Sequence, residues 1–370
     1  MKVNIGEVYM IKAILKIAIG MIGLMILANC SAMHQDIQRV NPSQQNDAIL
    51  PPKDIEVDNI MDDEKILQSH EIANESDDYT ENMNPPLDSI AYDDAESPES
   101  RLGNEDYIHQ IQTAIMTYLD TFNHTFSARL GVIVLSLKDQ KIIMAHHEHE
   151  CFIPASLTKL VVSSALFNRL NQISEDNPDH AFDMLIQAVP IHSPSLTHLS
   201  TVLTQMNHYT VSQAPQANRM AETLGDLFIQ SHIQQTGEYV TLEQLLLNHI
   251  DLISFKENCN RIDSASGLSV TNQLTPSQIA ACMVHLYAYP VFVHSLIQPG
   301  QGTLTHRLLD TNKNNYFKTG SLRQTGVLCL AGYIEHPISL CFVIMINQLN
   351  PRFFNQGVQW IDDFIRIMTE

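Results

Sequence analysis

Pro154-Ala155-Ser156-Leu157-Thr158-Lys159 heads an apolar run and carries a serine three residues before a lysine. A serine and a lysine three apart at the start of an apolar run share one face of a helix, which brings an amine within reach of a hydroxyl. A serine hydroxyl is a weak nucleophile until a base takes its proton, and a desolvated lysine is such a base. Val161, Val162, Ala165 and Leu166 continue the segment as a helix too apolar for a surface, so Lys159 is expected to be partly desolvated. Ser156 stands where a helix begins, among unpaired N–H groups able to stabilise an oxyanion. Alone, the pattern also fits a capping serine and a solvated lysine.

A partner lies 162 residues on. Phe317-Lys318-Thr319-Gly320-Ser321-Leu322 reads as a strand carrying Lys-Thr-Gly. Ser-x-x-Lys followed by Lys-Thr-Gly, with a Ser-Asp-Asn element between, is the motif set of penicillin-binding proteins and class A β-lactamases. The stretch from Asn315 to Tyr333 resembles the Lys-Thr-Gly strand and hairpin of the type-4 D-alanyl-D-alanine carboxypeptidases. Ser264-Ala265-Ser266-Gly267-Leu268-Ser269, with Asn272, Leu274, Thr275 and Pro276, is similar to that family's Asp-Gly-Ser-Gly-Leu-Ser…Asn-x-Leu-Thr-Pro segment. Pro299-Gly300-Gln301-Gly302-Thr303-Leu304 with Arg307-Leu308 resembles its Gly-x-Asp-Gly-Thr-Leu-x-x-Arg-Leu. The resemblance spans roughly residues 125 to 350.

The 370 residues divide by composition. Lys2, Lys12 and Lys16 precede an apolar run from Ile17 to Ala28, the layout of an export signal over 1–32, too short for a comfortable membrane span. Leu27-Ala28-Asn29-Cys30 resembles a lipoprotein box, which makes Cys30 a candidate membrane lipid anchor; cleavage after Ala32 is the alternative. Residues 33–104 read as an acidic disordered linker. Positions 33–100 hold 18 acidic side chains against Arg39, Lys53 and Lys65, most of the chain's formal charge of −20. A flexible chain of that length spans about 45–50 Å, enough to act as a tether. So acidic a chain gains no counterion-release energy at phosphates, which excludes nucleic acid as a partner. Localisation in the periplasm or cell envelope follows.

From Glu105 to the end the pattern is that of a folded domain, 105–370. Ile108, Ile111, Ile115, Tyr118 and Leu119 recur at helical spacing. Leu130–Leu135 and Ile142–Ala145 read as two strands around a turn. Residues from 156 to about 290 are mostly helical in pattern. Strands return at Tyr316–Thr319, Val327–Tyr333 and Leu340–Ile346, and a last helix carries Ile361, Phe364, Ile365 and Met368. The fold class is α/β: a five-stranded antiparallel sheet with terminal helices packed on it, plus an inserted all-helical subdomain. The resemblance implies the strand order of the penicillin-binding-protein/β-lactamase-like transpeptidase fold. Ser156 and the Lys-Thr-Gly strand can meet only at the seam between sheet and helices, where a cleft is expected.

The middle motif departs from the family. Asn218-Arg219-Met220-Ala221-Glu222 reproduces the second half of its Ser-x-Asn…Ala-Glu element, but Gln216 stands at the serine position. Counting from Met206-Asn207 instead places Thr210 there, so an insertion near Tyr209 to Gln216 is implied, with Ser212 inside it. Gln216, Ser212 and Thr210 are therefore the candidates for the space between Lys159 and Lys318, with Gln216 preferred. Pro215 biases Ala214 away from the helical region, so the chain is predicted to be extended before the motif. Losing an acid–base hydroxyl costs about 10²- to 10⁴-fold in rate. Ser264-Ala265 in place of Asp-Gly is a second departure, and the gap of 62 residues between Ser156 and Asn218 leaves no room for the extra domains of type-4 enzymes.

His146-His147-Glu148-His149-Glu150 lacks metal-ligand spacing and reads as a solvated loop. Cys329 and Cys341, on apolar strands, read as buried free thiols. The resemblance implies a serine D-alanyl-D-alanine carboxypeptidase, or an endopeptidase, acting on peptidoglycan stem peptides and covalently inhibited by β-lactams. It implies that Ser156 is the nucleophile, Lys159 its base and Asn218 an orienting residue. Lys318, Thr319, Gly320 and Ser321 are the implied substrate-binding residues, with backbone N–H groups of Ser156 and Ser321 as the oxyanion hole. No metal and no organic cofactor is implied. A wall-binding protein that has lost turnover, suggested by Gln216, is the alternative; a β-lactamase is a third, for which Glu257-Asn258-Cys259-Asn260 lacks the spacing of the deacylating element.

Overall fold

The computed structural model describes residues 98–369, apart from 175–176, 190–195, 197, 254–260 and 336. The leader over 1–32, Cys30 and the acidic tract as far as residue 97 lie outside the described residues.

Helix α1 (Pro98–Thr125) is followed by strands β1 (Arg129–Ser136) and β2 (Ile142–His146). After a 3₁₀ turn at Ala155–Leu157 come α2 (Thr158–Ile173), α3 (Pro178–Ala188), α4 (Leu199–Asn207), α5 (Ala214–Thr236), α6 (Leu242–Ile253), α7 (Pro276–Tyr287) and the single turn α8 (Pro290–Val293). Strands β3 (Tyr316–Leu322), β4 (Val327–Ile334) and β5 (Leu340–Asn347) complete the sheet, and α9 (Phe354–Ile367) closes the described chain. The five strands are antiparallel throughout, in the order β2-β1-β5-β4-β3. The expected α/β architecture is therefore borne out.

The two central apolar strands explain the layering. Every residue of β4 and β5 is buried, so both faces of the sheet are covered. Side chains alternate between two cores, as the two-residue period of a strand requires. Cys329, Ala331, Tyr333, Cys341, Val343 and Met345 face the helical insertion, where they join residues of α2 and α7. Leu328, Leu330, Leu340, Phe342, Ile344 and Ile346 face α1 and α9. On that side Trp360 stacks on Tyr118 with ring centroids 5.1 Å apart. Cys282, Cys329 and Cys341 are buried free thiols, and burial pushes the Cys282 thiol up to about 12. Cys151 is disulfide-bonded.

Strand β3 ends the sheet, hydrogen-bonded to β4 along one edge with Lys318 opposite Ala331 and Gly320 opposite Cys329. Its other edge faces the Ala155–Leu157 turn. A Cβ on Gly320 would stand 3.1 Å from the Pro154 oxygen and 3.1 Å from the Ser156 nitrogen. This approach brings together two segments remote in sequence.

Candidate active site

The serine sits on a strained corner. Ala155 has φ +46°, in the left-handed region that costs an L-residue roughly 1–2 kcal/mol. Ala155 and Leu157 are fully buried around Ser156, which is itself partly exposed. The corner is clamped from outside by the segment 263–272. Gly267, at φ +81°, leaves no room for a side chain: a Cβ there would lie 1.9 Å from the Ala155 oxygen. Asn272 donates from Nδ2 to Thr158 Oγ1 (3.2 Å), and its Oδ1 accepts from the backbone N–H of Asp263 (2.8 Å) and Ser264 (3.2 Å). Thr158 Oγ1 in turn donates to the Ala155 oxygen (2.9 Å). Thus the Ser264–Asn272 stretch, singled out by motif, is the scaffold of the nucleophile's turn.

Helix α2 carries Lys159 one turn on, fully buried. Its Nζ is 3.2 Å from Ser156 Oγ and donates to Asn218 Oδ1 at 2.7 Å. Asn218 lies in the first turns of α5, and Glu222, four residues on, shares its face. Glu222 accepts from Ser264 Oγ (2.7 Å), the Ser266 N–H (2.9 Å) and the Ala265 N–H (3.3 Å). One helix face therefore fixes the lysine with one residue and the clamp segment with the next. The serine at 264, where the related pattern has aspartate, takes part in that anchorage.

Lys318 points inward from β3 and is also fully buried. Its Nζ donates to the Thr319 oxygen (3.1 Å) and the Tyr209 hydroxyl (3.3 Å). Thr319 Oγ1 pairs with Thr303 Oγ1 at 2.8 Å, on a loop tied to α9 by the two-pronged Arg307–Asp362 ion pair at 2.7 Å. Ser321 is exposed on the same strand. Both amines are held below the ordinary lysine value. Burial lowers Lys318 to about 7. Lys159 falls to about 8, first through burial and then through the neighbouring Lys318 charge, against the opposing pull of Tyr209 and Glu222. A buried amine of this kind, hydrogen-bonded to a serine, is fit to serve as a base near neutral pH.

The space between the lysines holds neither Gln216, Ser212 nor Thr210. Gln216 is exposed in the first turn of α5. Thr210 and Ser212 are exposed and bonded to each other at 3.0 Å, and Thr210 forms a capping box with Gln213 around the 3₁₀ turn Val211–Gln213. That box leads the chain straight into α5, so Ala214 is helical (φ −53°, ψ −39°), not extended. Pro215 is accommodated because it occupies the first turn, where its missing N–H has no partner to lose.

Tyr209 fills the space instead. It is 6% exposed, and its ring centroid lies 5.0 Å from Lys159 Nζ and 4.7 Å from Lys318 Nζ. Spacing from Asn218 could not find it, since it stands nine positions upstream rather than two. The available signal was a tyrosine two residues past Asn207, at the start of the insertion. Arg323, which follows the Lys318–Leu322 strand segment, lies 5.1 Å from the centroid of the Phe354 ring.

The model of the D-Ala-D-Ala carboxypeptidase 3 (S13) family matches residues 186–364, which include Asn218 and the Lys318–Ser321 strand but begin after Ser156 and Lys159. The resemblance drawn from the motifs is borne out by this match. No curated protein sequence matches the chain. Among solved structures, the chain is similar to penicillin binding protein 4 of Haemophilus influenzae complexed with a β-lactam (13% identity, TM-score 0.49, covering 70% of this chain and 99% of that one). It is similar also to a representative class A β-lactamase from Bacteroides cellulosilyticus (14%, 0.48, 71% and 97%). A third is penicillin-binding protein D2 of Listeria monocytogenes in its cefotaxime-bound form (17%, 0.43, 65% and 96%).

Proposed function

We propose that this chain, which the match over residues 186–364 ties to the D-Ala-D-Ala carboxypeptidase 3 (S13) family, is a serine D-alanyl-D-alanine carboxypeptidase that works through an acyl-enzyme at Ser156. The observation that carries the reading is the contact of a buried amine, Lys159 Nζ, with both Ser156 Oγ and Asn218 Oδ1. With a value of about 8, roughly a tenth of Lys159 is unprotonated at pH 7, enough to supply the base form on demand. Ser156 Oγ attacks the carbonyl between the two terminal D-alanines as Lys159 takes its proton. Asn218 accepts from Lys159 through Oδ1, which fixes the amine and leaves its own NH₂ for the substrate amide. Lys318 and Thr319 bind the terminal carboxylate, whose charge favours the protonated form of the buried Lys318. The N–H groups of Ser156 and Ser321 receive the developing oxyanion. Gly320 lets the strand lie close enough to the turn for both to serve one carbonyl.

The reading extends to the rest of the chain. An exported protein, held to the membrane through a lipid on Cys30 and tethered by the acidic tract, would meet peptidoglycan stem peptides in the envelope. β-Lactams, which mimic the terminal dipeptide, would acylate the same serine. The alternative, a wall-binding protein without turnover, rests on the missing serine hydroxyl at position 216 and predicts that muropeptides bind without release of D-alanine.

The test is release of D-alanine from N-acyl-L-Lys-D-Ala-D-Ala by the purified protein. Release by the wild type, abolished in Ser156→Ala and Lys159→Met, is the expected result. Release that persists in Ser156→Ala would overturn the assignment.

A further inference from the structure

Proton bookkeeping leaves one step of the proposed reaction without an agent. When the C–N bond breaks, the departing D-alanine nitrogen needs a proton, and Lys159, buried behind Ser156, has just acquired one. Related sites pass it through a serine hydroxyl two residues before the asparagine, a position held here by the exposed Gln216. Three observations converge on a replacement. The Tyr209 phenol lies between the two lysines, with its hydroxyl 3.3 Å from Lys318 Nζ. The nearby hydroxyls of Thr210 and Ser212 are turned to solvent and to each other. The neighbouring carboxylate, Glu222, has its oxygens committed to Ser264, Ala265 and Ser266. A phenol reaches several ångströms farther than a serine hydroxyl, so it can arrive from a backbone position nine residues upstream. That backbone is held firmly: Gly302 packs so close that a Cβ there would be 2.9 Å from the backbone carbonyl oxygen of Tyr209, and the capping box at Thr210 fixes the next turn.

We propose that the Tyr209 hydroxyl relays the proton from Lys159 to the leaving D-alanine nitrogen, a role that rests on the carboxypeptidase reading of the site. In acylation the Ser156 Oγ–carbon bond forms and the carbon–nitrogen bond breaks. The serine proton passes to Lys159, Lys159 returns a proton to the Tyr209 oxygen, and Tyr209 gives its own to the nitrogen, which departs as a neutral amine. Lys159 and Tyr209 end in their starting states, and nothing is oxidised or reduced. Lys318 donates to the phenol oxygen and stabilises the charge it carries in transit.

The relay matters only when the leaving atom must be protonated, and this separates it from a packing role. Tyr209→Phe keeps the ring between the lysines and removes the hydroxyl alone. Single-turnover acylation is measured with two substrates on the same acyl group: the D-Ala-D-Ala amide, and a thioester whose thiolate departs without a proton. The expected loss is about 10²- to 10⁴-fold on the amide, the range for losing one acid–base group, and less than about fivefold on the thioester. Equal losses on both would reduce Tyr209 to a positioning residue, and no loss on the amide would remove it from the reaction; either overturns the relay. Retained thioester acylation also reports that the variant is folded. The carboxypeptidase reading fails separately, if the wild-type thioester burst is absent or survives in Ser156→Ala.

Discussion

Replacing Lys318 by methionine should stabilise the protein while disabling it. Lys318 is fully buried with no carboxylate against its ammonium among the described residues, and its value falls from an ordinary 10.5 to about 7. At about 1.4 kcal/mol per pH unit, that difference is a ceiling of about 5 kcal/mol for keeping the charge folded below pH 7. Methionine fills similar space but gives up the contacts to the Tyr209 hydroxyl and the Thr319 oxygen, about 1 kcal/mol each. The net gain near pH 6 is therefore about 3 kcal/mol, within the range found when buried ions give way to apolar side chains. Its sign depends on pH. Between about 7 and 10.5 the unfolded lysine binds more protons than the folded one, so this group's share of wild-type stability rises with pH. The advantage of the variant should shrink through that window and cross zero at about pH 9. Urea unfolding of both proteins from pH 6 to 10 measures the gap, with D-alanine release assayed in parallel. A gap that does not change with pH, or a less stable variant at pH 6, would refute the claim that an uncompensated charge is stored in this site.

Acylation by a fluorescent penicillin should rise with pH along a limb set by Lys159 near 8, because the unprotonated amine takes the serine proton. A rate that does not change between pH 6 and 9 would contradict Lys159 as the base. Two glycines should give graded losses. Gly267→Ala would put a Cβ 1.9 Å from the Ala155 oxygen, forcing the nucleophile's turn to move by about an ångström, which costs on the order of 10²-fold in acylation. Gly320→Ala meets Pro154 and Ser156 at 3.1 Å and should cost about tenfold or less, since a shift of a few tenths of an ångström suffices. Equal rates in the two variants would argue against this close approach as the determinant.

Much of the architecture was legible because its signals are local and periodic. Continuous apolar runs at β4 and β5 can only be strands covered on both faces, and their alternation assigns each side chain to a core. Ser156 and Lys159 were legible for a similar reason, as three residues on one helix turn fix their separation whatever surrounds them. Asn218 and Glu222 follow from helical spacing once one of them is placed. Tyr209 was hidden by the opposite circumstance. A proton relay requires only that a hydroxyl end at the right point, and side chains of different length reach one point from different backbone positions. Gln216 kept the motif's spacing and lost its geometry, because the capping box at Thr210 starts α5 early and turns that residue outward. The disulfide at Cys151 was equally out of reach, since cysteine spacing alone does not fix connectivity.

Every role proposed for this site requires an acyl-enzyme at Ser156, activated by Lys159. It is tested most directly by incubating the full chain with a labelled penicillin, digesting it and mapping the adduct by mass. The expected result is one equivalent of penicilloyl group on the peptide containing Ser156, absent from Ser156→Ala and strongly reduced in Lys159→Met. A protein that takes up no label, or carries it on a residue other than Ser156, would contradict the account.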